Sequence, residues 1–110
     1  SLNFSKYKMH PIRSAEMLGG LSFIDNDIIT MIEQHHESGD GSGFPRALTN
    51  TQITKLSCIF ITSEFVTKRL LSRKTKDIKL FRDIIETIPQ TNREGNFKEI
   101  FNSLDSFFKK

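Results

Sequence analysis

Gln34 to Pro45 reads Gln-His-His-Glu-Ser-Gly-Asp-Gly-Ser-Gly-Phe-Pro: two adjacent histidines, two carboxylates, three glycines and a proline in one short run. Imidazoles beside a carboxylate are metal-ligand chemistry. Glycines let a backbone turn sharply and approach a ligand closely, and proline fixes the exit. The run predicts the end of a helix passing into a functional loop. The adjacency of His35 and His36 is informative. Neighbouring helical residues point about 100° apart, so a regular helix would not easily bring both rings to one ion. The pair suits two ions close together, roughly 3.5–4 Å apart in two-metal phosphoesterases. The bland alternative is a polar helix end, where a charged histidine favours the helix dipole.

The order His-His-Glu-x-x-Asp-Gly-x-Gly-Phe-Pro closely resembles the His-His-Glu-x-x-Asp-Gly-x-Gly-Tyr-Pro signature of the HD-GYP family. Phe44 replaces the family's tyrosine, which keeps a stacking ring and loses a hydroxyl. A second run, His-Pro-x-x-x-Ala-Glu-Met-Leu from His10 to Leu18, is similar to the family's His-Pro-x-x-Gly-Ala-Glu-Ile-Leu, with Ser14 in place of glycine. The resemblance implies an all-α metal-dependent phosphohydrolase whose usual substrate is cyclic di-GMP, with His10, His35 and His36 as metal ligands. Taken alone, His10 reads as a helix-entry histidine in water. Glu37 and Asp40 are candidate carboxylates for holding imidazole N–H groups, or solvated loop acids. Gly41-Ser42-Gly43 can offer N–H groups to a phosphate, or form a plain turn. Gly43 and Phe44 are therefore candidate ligand-binding residues.

The third segment departs further. The family's Ile-Pro-Leu-x-Ala-Arg-Ile-x-x-Val-Ala-Asp-x-Phe-Asp-Ala-Leu aligns with Ile53 and Ile59 on its isoleucines and Cys58 on its arginine. Glu64 falls on the metal-binding aspartate and Thr67 on the second one. Glu64 is thus a fourth candidate ligand with an arm one methylene longer, or an exposed helix glutamate. Val66 and Thr67 break the rest of the motif. Arg73 and Lys76 fall on the two basic positions of an Arg-Pro-Tyr-Arg/Lys element that approaches ligand phosphate in the family. Otherwise the basic stretch from Lys68 to Lys79 is a solvated face.

The resemblance runs from about His10 to Phe108 and covers only the C-terminal part of the family domain. None of the three histidines is followed by aspartate, and the His-Asp pair and activating lysine of the family's first half have no counterpart. Residues 1–110 are therefore expected to form a single partial HD-GYP-like domain. Four ligands would hold one ion or share two loosely, with Fe, Mn or Zn all suited to nitrogen-rich ligation. Alone, the chain is expected to be inactive or nearly so. Its expected partners are a cyclic dinucleotide or other phosphoester, and a missing N-terminal half or another chain that supplies the rest. A homodimer is a further expectation. The alternative is a degenerate, non-catalytic module in signalling that binds a nucleotide or a partner protein.

Composition agrees with a small globular domain. The chain has 110 residues, 36% hydrophobic and 26% charged, with a net charge of +3, too mild to argue for DNA. No apolar run approaches the ~20 residues of a membrane span, and no signal-peptide pattern opens the chain. The single cysteine, Cys58, excludes an internal disulfide framework. It fits a reducing, cytoplasmic setting, and its apolar context predicts an inert core thiol.

The periodicity predicts about five helices and no strand. The first starts with Pro11 at its first position and ends at Gly19-Gly20. The second is capped at Asp25-Asn26-Asp27 and buries Ile28, Ile29, Met31 and Ile32. The third runs from about Thr51 to Leu70, after a Thr49-Asn50-Thr51 cap, with Ile53, Leu56, Ile59, Phe60 and Phe65 as its apolar positions. The fourth is capped by Asp77 or Thr75, carries Ile78, Phe81, Ile84, Ile85 and Ile88, and stops at Pro89. The last starts at Asn96 with an aromatic stripe from Phe97 to Phe108, read as packing surface.

Overall fold

The computed structural model describes residues 2–74 and 77–108. It is all-α: α1 (Leu2–Leu18), α2 (Asn26–Gln34), α3 (Lys55–Leu71), α4 (Ile78–Glu86) and α5 (Lys98–Phe108), with 3-10 turns at Gln90–Arg93 and Gly95–Phe97. Extended pairing among the described residues is limited to isolated bridges from Gly39 and Asp40 to Thr49. No helix among them is long and apolar enough to cross a membrane.

The first helix begins nine residues earlier than its sequence predicts, so Pro11 lies in its interior rather than at its start. A helical proline removes one backbone bond and crowds the carbonyl a turn before it. Here the Tyr7 carbonyl, which Pro11 cannot serve, accepts a bond from the His10 ring at 2.7 Å. Pro11 and Ala15, one turn apart, are both buried. They give α1 a smooth contact stripe against α2, the helix it packs on most extensively.

In α2, Asp25 occupies the cap position with extended backbone but makes no side-chain cap bond. Ile29, Met31 and Ile32 are partly covered, whereas Ile28 faces out. The third helix is capped by Thr54, whose hydroxyl accepts from Ser57 N. Thr49 to Gln52 instead forms a turn, closed by Gln52 N to Thr49 O at 3.0 Å. The later start rotates the buried face. Ser57, Cys58 and Thr62 point inward, and Leu56, Ile59 and Phe60 point outward. The small residues let α3 approach Phe97: Ile53, Cys58 and Phe97 are fully buried together, with Leu48, Ile61 and Ile100 against them.

Asp77 caps α4 through Leu80 N at 2.8 Å; Thr75, the other candidate, lies outside the described residues. Ile84, Ile85 and Ile88 are buried, and Ile85, Ile88 and Phe101 form a second core with Phe65 and Leu104. Ile78 and Phe107 are mostly exposed, the latter as a stripe that packs on a core or an interface allows.

The 3-10 region braces the loop after α2. Asn92 donates to Ser38 O, Asn50 to Thr91 O, and Asn96 to Ile53 O. Gly95 is needed at this crossing: its φ is +57°, and a Cβ there would stand 2.7 Å from Asn50 Oδ1 and 2.9 Å from its carbonyl.

Candidate metal centre

Three histidines meet where α1 passes the end of α2. One ring nitrogen from each of His10, His35 and His36 lies within 4.8 Å of the others. The rings of His35 and His36 are 4.2 Å apart, and those of His10 and His36 are 4.8 Å apart. The sequence expectation that adjacent histidines diverge holds only inside a regular helix. Here α2 ends at Gln34 and His35 is its C-cap. The chain then closes through Glu37 N to Gln34 O at 2.9 Å, a tighter i, i+3 turn that brings both rings to one side. Two nitrogens on one ion are at most ~4.2 Å apart at metal–nitrogen distances of about 2.1 Å. The widest spacing of the cluster thus suits two neighbouring ions, or a single ion after a small closure.

The electrostatics favour the ligating form of His36. Partial burial pushes its pKa down from the ordinary 6.5, and the neighbouring His35 and His10 push the same way. A ring held neutral is the form that binds a metal. Phe44 stacks on it, with ring centres 4.8 Å apart and planes 16° from parallel. The Tyr7 ring completes an aromatic wall, 5.1 Å from His10 and 5.3 Å from Phe44.

Neither loop acid holds an imidazole. Buried Glu37 accepts from Arg46 N at 2.8 Å and Leu48 N at 2.9 Å, one on each oxygen. Asp40 accepts from the Ser38 hydroxyl and from both the hydroxyl and N–H of Ser42. These bonds, the Ser38 hydroxyl first, lower its pKa to about 2. The imidazole partners are backbone carbonyls instead: Tyr7 O for His10 Nδ1, and Ile32 O at 2.5 Å for His35 Nδ1. The expected phosphate cradle is also largely used up internally. Gly41 N bonds Leu48 O and Phe44 N bonds His36 O, while Ser42 N bonds Asp40. Gly43 serves packing: a Cβ there would lie 2.5–2.7 Å from Ser38 N, Glu37 Cα and His36 O, all main-chain atoms.

Glu64 stands apart from the clustered histidines. It shares with His35 a cleft of ≈ 280 Å³ between α3 and the loop, and its carboxylate pairs with Lys68 at 2.6 Å. The grouping among the described residues is therefore three imidazoles with a paired carboxylate nearby.

A model of the HD domain family matches residues 2–78. The chain belongs to the HD domain family. No curated protein and no solved structure gives a significant match. The span matched to the HD domain holds all three histidines, the glycine loop and Glu64, and nearly all of α4 and the whole of α5 follow it.

In this HD domain Arg73 lies away from the histidines. It lines a second cleft, between the end of α3 and α4, with Arg69, Lys74 and Asp83, and roughly 12 Å of helix separates Glu64 from that end. Lys76 lies outside the described residues. Sequence reading named Pro11 only as a helix start and Lys68 only within the basic stretch, and missed Tyr7 and Asn92 as contributors. Two had a local signal, since Tyr7 precedes His10 by three residues and Lys68 follows Glu64 by four, the spacings of helical neighbours. Asn92 acts across the fold and has no local signature.

Proposed function

We propose that this HD domain is a metal-binding, HD-GYP-type phosphohydrolase unit whose substrate class is cyclic di-GMP or a related phosphoester, and that residues 1–110 alone turn it over slowly or not at all. The carrying observation is the convergence of His10, His35 and His36 at a loop that reads His-His-Glu-x-x-Asp-Gly-x-Gly-Phe-Pro. The donor set fits the group: imidazole nitrogens, one of them biased to the neutral form, with a carboxylate in the adjoining cleft, suit Fe, Mn or Zn. When bound, such an ion supplies a Lewis acid for a phosphoester oxygen. The chain's own part is to hold it through His10, His35 and His36. Lys68, ion-paired to Glu64, lines the same cleft, and the Phe44 and Tyr7 rings pack against the imidazoles.

A second reading has its own support. The Glu64 carboxylate is taken by Lys68, and three imidazoles are a sparse set for a hydrolytic centre holding several ions. On that reading the domain binds a nucleotide or a partner protein without turnover. The test is incubation of Mn-loaded chain with cyclic di-GMP, alongside calorimetric binding of the same nucleotide. Metal uptake with little or no turnover is expected. Brisk hydrolysis abolished by His35→Ala would overturn the inactivity of the isolated chain. Failure to take up metal would overturn the metal reading.

A further inference from the structure

We infer that Pro11 is a positioning residue for the histidine cluster: it leaves the Tyr7 carbonyl to the His10 ring, which fixes the His10 proton on Nδ1 and keeps Nε2 as the ligating nitrogen. The inference rests on the metal-centre reading above. In a regular helix the N–H of residue 11 would bond the carbonyl of residue 7. Proline has no N–H, and Pro11 sits inside α1 with nine helical residues before it. The Tyr7 carbonyl is instead reached by His10 Nδ1 at 2.7 Å. A carbonyl oxygen can only accept, so Nδ1 carries the proton and the neutral ring keeps its lone pair on Nε2.

His35 shows the same arrangement from a different cause. Its Nδ1 reaches Ile32 O at 2.5 Å. Ile32 is among the last four residues of α2, whose carbonyls have no intrahelical donor. One carbonyl is freed by a proline and the other by a helix end, and each orients one imidazole. Partners of this kind set the tautomer and direction of metal-binding histidines. This gives a local reason for a residue otherwise unfavourable in a helix interior at a fully buried position beside His10.

Alanine at position 11 would restore an N–H that competes for Tyr7 O. The experiment compares wild type with Pro11→Ala by thermal melting, by zinc affinity, and by long-range ¹H–¹⁵N imidazole spectra of the metal-free chain at alkaline pH. The expected result is a variant that melts no lower than wild type, binds zinc about 10–100-fold more weakly, and shows His10 shifting from the Nδ1–H toward the Nε2–H tautomer. An unchanged tautomer and unchanged affinity would overturn the inference, whatever happens to the melting temperature. If Pro11→Ala does not fold, the wild-type spectrum decides: His10 in the Nε2–H form overturns it, and in the Nδ1–H form sustains it. Because the tautomer is read without metal, a wild type that takes up no zinc refutes the metal centre separately from the role of Pro11.

Discussion

Glu37 shows why an acid in a metal-like motif need not touch the metal. It is 3% exposed and bonds two main-chain N–H groups nine and eleven residues on. It thereby fixes the return of the loop beneath His36. Glu37→Ala would leave two part-buried donors without partners, at about 1–3 kcal/mol each. Urea unfolding should show a loss of that order, with Glu37→Gln less damaging because it keeps one acceptor. Asp40 acts on the exposed side of the same loop. Its folded pKa, about 2, lies below the ordinary 3.8. The stability it contributes is therefore fully present above pH ~4 and is lost as pH falls through about 2. In Asp40→Asn the part of the acid dependence between those limits should flatten, as read by denaturation midpoints across pH.

At the scale of elements, α1 and α2 make the site and the loop holds it in register. Gly43 is the tightest point, because its absent Cβ would meet backbone atoms that cannot swing away. Gly43→Ala is expected to destabilise the fold by about 1–3 kcal/mol or more and to displace His36, with zinc affinity falling in parallel; calorimetry on the variant checks both. How far the elements could be read follows from this. Helix count, the Asp77 cap and the Ile84–Ile85–Ile88 face were legible because their signals are local and periodic. The start of α1 was not, since proline is commonest at a first turn, whereas here it lies inside the helix with the His10 ring on the Tyr7 carbonyl. The buried face of α3 was legible only in part: Cys58, expected in the core, packs with Ile53 and Phe97, whereas small polar Ser57 and Thr62 are buried and Leu56, Ile59 and Phe60 are exposed, which apolar periodicity does not signal. The histidine motif was legible as chemistry, but its geometry depends on α2 stopping one residue before His35. That exit is set by long-range bonds such as Asn92 to Ser38 O.

On the scale of the whole molecule, two small cores lie side by side, one behind the glycine loop and one between α3, α4 and α5. Outside them, Met17, Phe23, Leu71 and Phe107 are each at least two-thirds exposed, and Leu56, Ile59 and Phe60 share an outward face of α3. So much uncovered apolar surface on a small domain favours association. Sedimentation velocity should show concentration-dependent oligomers, and a monomer at high concentration would count against a homodimer. The central claim is that His10, His35 and His36 form one metal-binding centre. It is tested most directly by metal content, measured by mass spectrometry on chain purified without oxygen or chelator, with His10→Ala, His35→Ala and His36→Ala beside it. The account predicts at least one transition ion per wild-type chain and a marked loss in each variant. A metal-free wild type, or metal retained through all three substitutions, would contradict it.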